Sequence, residues 1–162
     1  MTILTTKPFT AGDYVMIGDA DGLIKQVELF YTTMVTFDKR TIFIPNSQVT
    51  DAKIMNYSRE RERRVQIDLG LDYSTPVELA KETLIGVAKV DERILADPAP
   101  VVVILAYEDS AVRYSLRAWV KTEDYWDVFF ALNERVNKAL REKGISITYN
   151  HLNVHILGEK KD

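Results

Sequence analysis

Two groups of residues in this 162-residue chain have types and spacings that metal chemistry uses. In Gly18-Asp19-Ala20-Asp21-Gly22, taking Gly22 as the sixth position of a calcium loop puts Asp19, Asp21 and Glu28 at the third, fifth and twelfth. Ile17 then stands first, where an oxygen ligand is required, and the flanks have strand rather than helix character. These small and acidic residues read more simply as a tight turn. His151 and His155 are the only histidines and lie four apart. Their His-Leu-Asn-Val-His segment lacks the glutamate of a zinc-protease helix and alternates like a strand, so the two read as outward polar positions.

A third group is charged. Arg59, Arg61, Arg63 and Arg64 interleave with Glu60 and Glu62, which halves the positive charge and leaves little to gain from phosphate counterions. One reading is a solvated linker whose exposed ion pairs contribute about 0–1 kcal/mol each. The other is that Arg59, Glu60, Arg61, Glu62 and Arg63, repeated around a ring of copies, bias which ions enter a pore. Trp119, Tyr125, Trp126, Phe129 and Phe130 gather around a predicted helix and read as core and subunit-interface anchors. There is no cysteine, which excludes disulfides, thiolate metal sites and thiol nucleophiles. No glycine-rich phosphate loop, no Gly-x-Ser-x-Gly elbow and no Ser-His-Asp set is present. The sequence thus assigns no catalytic residue, no metal site and no cofactor.

The elements that would position these residues fall into two textures. The formal net charge is -3, which provides no global footprint for nucleic acid or anionic lipid. The longest apolar run, Val101 to Tyr107, is seven residues, far below the roughly 20 that span a bilayer. The first part reads as short strands: Tyr14 to Ile17, Leu23 to Tyr31, Thr33 to Phe37 and Thr41 to Ile44, with a further run from Val49 to Met55 and no helix. Leu23, Val27 and Leu29 are predicted on one face of the second strand, with Ile24, Gln26, Glu28 and Phe30 on the other. Asp38-Lys39-Arg40 is a predicted hairpin loop, and Pro45 a strand end. Beyond Arg59, the alternation of Val65, Ile67, Leu69 and Leu71 predicts a half-buried strand. Ser74-Thr75-Pro76 starts a helix carrying Val77, Ala80, Leu84 and Val87 or Ala88. Strands follow over Val101 to Tyr107 and Val112 to Val120, then a helix from about Tyr125 to Lys143 stopped by Gly144. The order strand, helix, strand, strand, helix predicts an α+β domain of the split βαβ, ferredoxin-like kind. The predicted ranges are a lead-in over 1–8, a β-domain over 9–58, the α+β domain over 59–147, and a terminal strand and tail over 148–162.

The stretch from Lys7 to Arg59 resembles the segment that follows the pore-lining helix of small-conductance mechanosensitive (MscS-like) channels. The likeness rests on Pro8-Phe9, Gly12-Asp13, Gly18, Gly22-Leu23-Ile24, Thr32-Thr33, Ile44-Pro45-Asn46-Ser47 and Asn56-Tyr57-Ser58-Arg59 with Arg64. Further landmarks are Arg93 to Pro98, Trp119-Val120 and Gly144-Ile145. The resemblance implies an Sm-like β-domain, an α+β domain, and terminal strands that close an intersubunit barrel. It implies a homo-heptamer forming a cytoplasmic vestibule with side portals, through which ions and small solutes leave on osmotic downshock. The full-length protein would sit in a bacterial or archaeal inner membrane, anchored by helices upstream of this region. Gly18 and Gly22 would allow the turn, Pro45 and Asn46 would fix a corner, and Asn56 to Arg59 would set the angle between domains. One departure stands out: Ile147 to His151 lacks the prolines that family members often carry there, which leaves a more flexible approach to the barrel. Rival readings are a soluble nucleic-acid-binding module of Sm-like and ferredoxin-like folds, and a ligand-sensing domain that regulates a channel.

Overall fold

The computed structural model describes residues 7–148, so His151, His155 and the predicted terminal strand lie outside the described residues. The chain divides into two compact units, one up to Arg61 and one from Glu62 onward. Each has its own apolar core, and together they give the α+β class.

In the first unit, β1 (Tyr14–Ile17), β2 (Ala20–Val27), β3 (Tyr31–Val35), β4 (Thr41–Pro45) and β5 (Ile54–Asn56) form one antiparallel sheet in the order β4-β3-β2-β1-β5. Its core is Phe9, Val15, Ile17, Ile24, Met34, Ile44 and Val49. Three expectations need correction. The turn after β1 is only Gly18-Asp19, because Ala20 already pairs with Ile17. Strand β2 therefore starts early, contains Gly22, and ends at Val27 rather than Tyr31. Ile24 points into the core at 1% exposure while Leu23 faces outward at 46%, and Leu29 and Phe30 lie in the following loop. Finally, Asn46–Asp51 is a short helix, α1, where sequence predicted none. A helix of six residues is too short to show a period, and only Val49 is buried, so tertiary packing rather than patterning holds it.

The second unit follows the predicted order closely. Strand β6 (Glu62–Leu71) pairs with β8 (Val112–Lys121), which pairs with β7 (Val101–Tyr107). Helices α2 (Val77–Lys89) and α3 (Tyr125–Glu142) supply the apolar stripes that cover the sheet. Pro76 precedes the first turn of α2, where a missing N–H costs nothing. At the other end of α3, Gly144 adopts φ +67° and Ile145 N–H closes back onto Leu140 O at 2.9 Å. Val128, missed in the predicted stripe, is fully buried, whereas Phe129 is only partly covered. Strand β6 claims Glu62, Arg63 and Arg64, so these three charges belong to a ladder rather than to a linker.

Candidate functional site

The motif residues of the first unit converge on two hydrogen-bonded fastenings rather than on a reactive centre. The first uses Asn56. Its Nδ2 donates to Pro8 O at 3.2 Å and to Asp13 Oδ2 at 2.9 Å. Its Oδ1 accepts from the N–H groups of Ser58 at 2.9 Å and Arg59 at 3.0 Å. Both donors and both acceptor lone pairs of the amide are thus used. Asp13 Oδ2 also accepts from Thr10 N–H at 3.0 Å, and Ser58 Oγ accepts from Tyr14 N–H at 2.9 Å. The lead-in to β1 and the exit from β5 are tied together at one place. The sharp lead-in needs Gly12, whose φ is +96°. The Tyr14 ring stacks on Phe37 at 4.7 Å and meets the Tyr57 ring, tilted, at 5.8 Å.

The second fastening uses Asn46, the first residue of α1. Its Nδ2 donates to Glu28 O at 2.7 Å and Leu29 O at 3.1 Å, and its backbone N–H to Phe30 O at 2.8 Å. Its Oδ1 accepts from the buried Thr32 hydroxyl at 2.9 Å. Pro45 ends β4 with ψ 134° and sets the direction in which Asn46 enters. The loop tip so held presents Leu29, Phe30 and Tyr31 at 74%, 72% and 48% exposure. Asn46→Ala should remove the Thr32 acceptor and two loop clamps, costing about 1–3 kcal/mol. Hydrogen–deuterium exchange checks this: amides of residues 28–31 should exchange faster than those of β1, and unchanged protection would count against the clamp.

The remaining predicted residues lie elsewhere. Gly18 makes the tight turn at φ +61°, and Gly22 lies inside β2. The side chains of Arg59, Glu60, Arg61 and Glu62 are exposed. Arg63 lies over the Tyr125 ring at 3.6 Å, a cation–π contact, and Arg64 donates to Gln66 Oε1 at 3.0 Å. Among the aromatics, Tyr125 and Phe129 pack on the core, but Trp126 and Phe130 stack on each other at 5.8 Å and are 43% and 57% exposed.

Sequence reasoning missed a strongly perturbed group. Asp91, just past the end of α2, is buried. Its carboxylate receives Arg93 Nε and Nη2 at 2.9 and 2.8 Å and Arg135 Nη1 of α3 at 2.8 Å. Hydrogen bonding to Arg93 is the main cause that holds its carboxyl at about 2, outweighing burial. A carboxylate beside a helix C-terminus is otherwise unfavourable, so the two arginines also offset the helix dipole. Both oxygens are committed, and the group fastens α2 to α3. Nothing in Asp-Glu-Arg marked it, because Arg135 is 44 residues away. Among the described residues, no group of three or more His, Cys, Asp or Glu could hold a metal ion, and no helix is long and apolar enough to cross a membrane.

The sites described are fastenings in a structural module, built from amides, carboxylates and guanidinium groups already bonded to the protein itself. Residues 1–59 match a family model described as mechanosensitive ion channel, beta-domain, and residues 65–147 match mechanosensitive ion channel MscS, C-terminal. The chain belongs to the MscS family of mechanosensitive ion channels. It is 33% identical over 150 residues to a small-conductance mechanosensitive channel of Edwardsiella ictaluri, covering 93% of this chain and 52% of the relative. It is 30% identical over 164 residues to mechanosensitive channel MscK of Escherichia coli, covering 100% of this chain but 15% of that protein. The solved structure of Helicobacter pylori MscS in a closed state superposes with a TM-score of 0.88 at 28% identity, over 98% of this chain and 63% of that one. Arabidopsis thaliana MSL1, at 17% identity and TM-score 0.76 over 92% of this chain and 54% of that one, shares the fold. The chain spans about half the length of the first curated relatives it matches.

Proposed function

We propose that this chain is the cytoplasmic vestibule part of a mechanosensitive channel whose membrane helices lie outside it, with a β-domain over 9–58 and an α+β domain over 59–147. The observation that carries the reading is the match of two consecutive channel-family descriptions to the two units in order, together with the near full-length superposition on Helicobacter pylori MscS. In this role the chain forms the cage and its side portals, and the gate lies elsewhere. Identical copies, seven in the family arrangement, close into a ring. The first unit favours such closure physically: its sheet leaves Leu23, Phe43 and Met55 at 46%, 64% and 41% exposure. A core of some fifty residues is marginal alone and gains from covering such faces. The exposed side chains of Arg59, Glu60, Arg61 and Glu62 would then act on ions and small solutes leaving on osmotic downshock.

The test is patch-clamp recording of the full-length protein in liposomes, with native mass spectrometry of the same preparation. Current that opens with suction, from a complex of seven copies, is the expected result. A full-length protein that is monomeric and electrically silent under tension would overturn the proposal.

A further inference from the structure

The turn between β2 and β3 is built from residues ill suited to water. Glu28 N–H donates to Tyr31 O at 2.8 Å, so Leu29 and Phe30 are its two central residues. Such positions favour glycine, asparagine and aspartate. Neither residue takes the left-handed φ of the common hairpin turns, which among the described non-glycine residues only Lys7 and Lys39 adopt. Asn46 supplies what the turn lacks, donating to the carbonyls of Glu28, Leu29 and Phe30 in succession. Three acceptors that an ordinary exposed turn leaves to water are thus bonded within the protein, although Leu29 and Phe30 are 74% and 72% exposed. A turn built this way can leave water without stranding its carbonyls. Its place in the sheet is also defined. Gly12 N–H donates to Ile24 O, and β2 runs on from there toward Leu29 while the chain before Gly12 runs back toward Lys7. Asn56 reaches Pro8 at the same end. Leu29 and Phe30 therefore project beyond the strands, whereas Leu23, Phe43 and Met55, the exposed residues that favour ring closure, lie within them.

We propose that Leu29 and Phe30 insert into the interfacial layer of a lipid bilayer, with Tyr31 at the level of the headgroups. The inference rests on the channel reading, in which the membrane helices lie upstream of Lys7 and hence at this end of the sheet. A projecting apolar pair on a turn with bonded carbonyls meets both demands of that layer, apolar surface outward and no bare backbone acceptor. Tyrosine is a residue type enriched where headgroups meet hydrocarbon. The charges at this end, Lys7, Lys25 and Arg59 against Asp13 and Glu28, nearly balance. Transfer of apolar surface therefore drives the contact, and added salt should change it little. A neighbouring copy suits the turn less well, because protein would have to offer a cavity shaped to the projecting pair, whereas lipid takes any shape.

The test uses the full-length protein in vesicles of phosphatidylethanolamine and phosphatidylglycerol, a fraction of whose lipids carry a nitroxide near the headgroup. This chain has no cysteine, so, with any in the upstream region replaced, Phe30→Cys places a single polarity-sensitive fluorophore at the turn. Asp19→Cys places it in the exposed turn between β1 and β2, at the opposite end of the sheet. Circular dichroism should be unchanged in both. The label at position 30 should emit at shorter wavelength and be quenched by the nitroxide lipids about fivefold or more above the label at position 19. Adding Leu29→Asp should shift the insertion equilibrium about tenfold or more toward water. Equal quenching at the two positions overturns the contact, as does quenching that Leu29→Asp leaves intact. A shift to shorter wavelength without quenching also overturns it, since the turn is then covered by protein, a neighbouring copy or the upstream helices. Patch-clamp recording on the same vesicles keeps the two readings apart. Current under suction with an unquenched label overturns the lipid contact and leaves the channel reading standing. A quenched label in a protein electrically silent under tension supports the contact and counts against the channel.

Discussion

Replacing Gly22 with alanine should destabilise the first unit by about 3 kcal/mol or more, because its new methyl would strike backbone rather than a side chain that can turn away. A Cβ there would sit 2.6 Å from Val35 O and 2.7 Å from Met34 Cγ, and 3.0 Å from Val35 C. That carbonyl belongs to β3, whose ladder with β2 runs through Leu23↔Val35 and Ile24↔Met34, so relief requires the two central strands to separate. In a unit of this size the midpoint should fall by roughly 10–20 °C. Gly18 provides the contrast. It has nothing within 4 Å of an added Cβ, and its φ of +61° is the sole obstacle. Gly18→Ala should cost about 1–2 kcal/mol, and Gly18→Asn less, since asparagine tolerates that backbone region. Thermal and urea unfolding of the variants decides it. A Gly22→Ala loss no greater than that of Gly18→Ala would show that the strands yield more easily than packing implies.

Asp91→Asn should remove about 3 kcal/mol from the second unit, toward the lower end for a broken buried pair because Arg93 and Arg135 stay partly solvated. The pH dependence identifies the cause. Folding lowers the Asp91 pKa from 3.8 to about 2, so the native state holds the charged form and the unfolded chain takes up protons first. Its contribution, about 2 kcal/mol, is complete above the unfolded value and is lost as pH falls through the folded one. The stability gap between natural chain and variant should thus be steady near neutrality, narrow below pH 3.8, and fall to about 1 kcal/mol near the folded value, where the charge contribution is mostly lost. Urea unfolding at a series of pH values measures it. A gap that does not change over this window would mean that shape, not charge, holds the helices together.

The second unit was largely legible in its residues, and the reason lies in length. Ten residues of β6 with alternating Val65, Ile67, Leu69 and Leu71, and eighteen residues of α3 with one apolar stripe, repeat a period often enough to distinguish strand from helix. In the first unit the runs are short. Val49-Thr50-Asp51 fits a strand pattern as well as a helical turn, and burial of Val49 alone decided for the helix. In β2 the simple alternation failed because the ladder shifts register between Ile24 and Gln26, which brings Val27 onto the core with Ile24 instead of leaving it beside the outward Leu23.

What the chain determined by itself was the class of each long element, the helix start at Pro76 and the stop at Gly144, and the family likeness written in Pro8-Phe9, Pro45-Asn46 and Asn56 to Arg59. These depend on neighbours within about ten residues, where periodicity and backbone preference act. Tertiary structure alone decided what those residues touch. Asn56 meets Pro8 across 48 positions, Asn46 meets Glu28 across 18, and Asp91 meets Arg135 across 44. A hydrogen bond has a direction and a length of about 3 Å, and neither exists until folding brings distant backbone and side chain to one point.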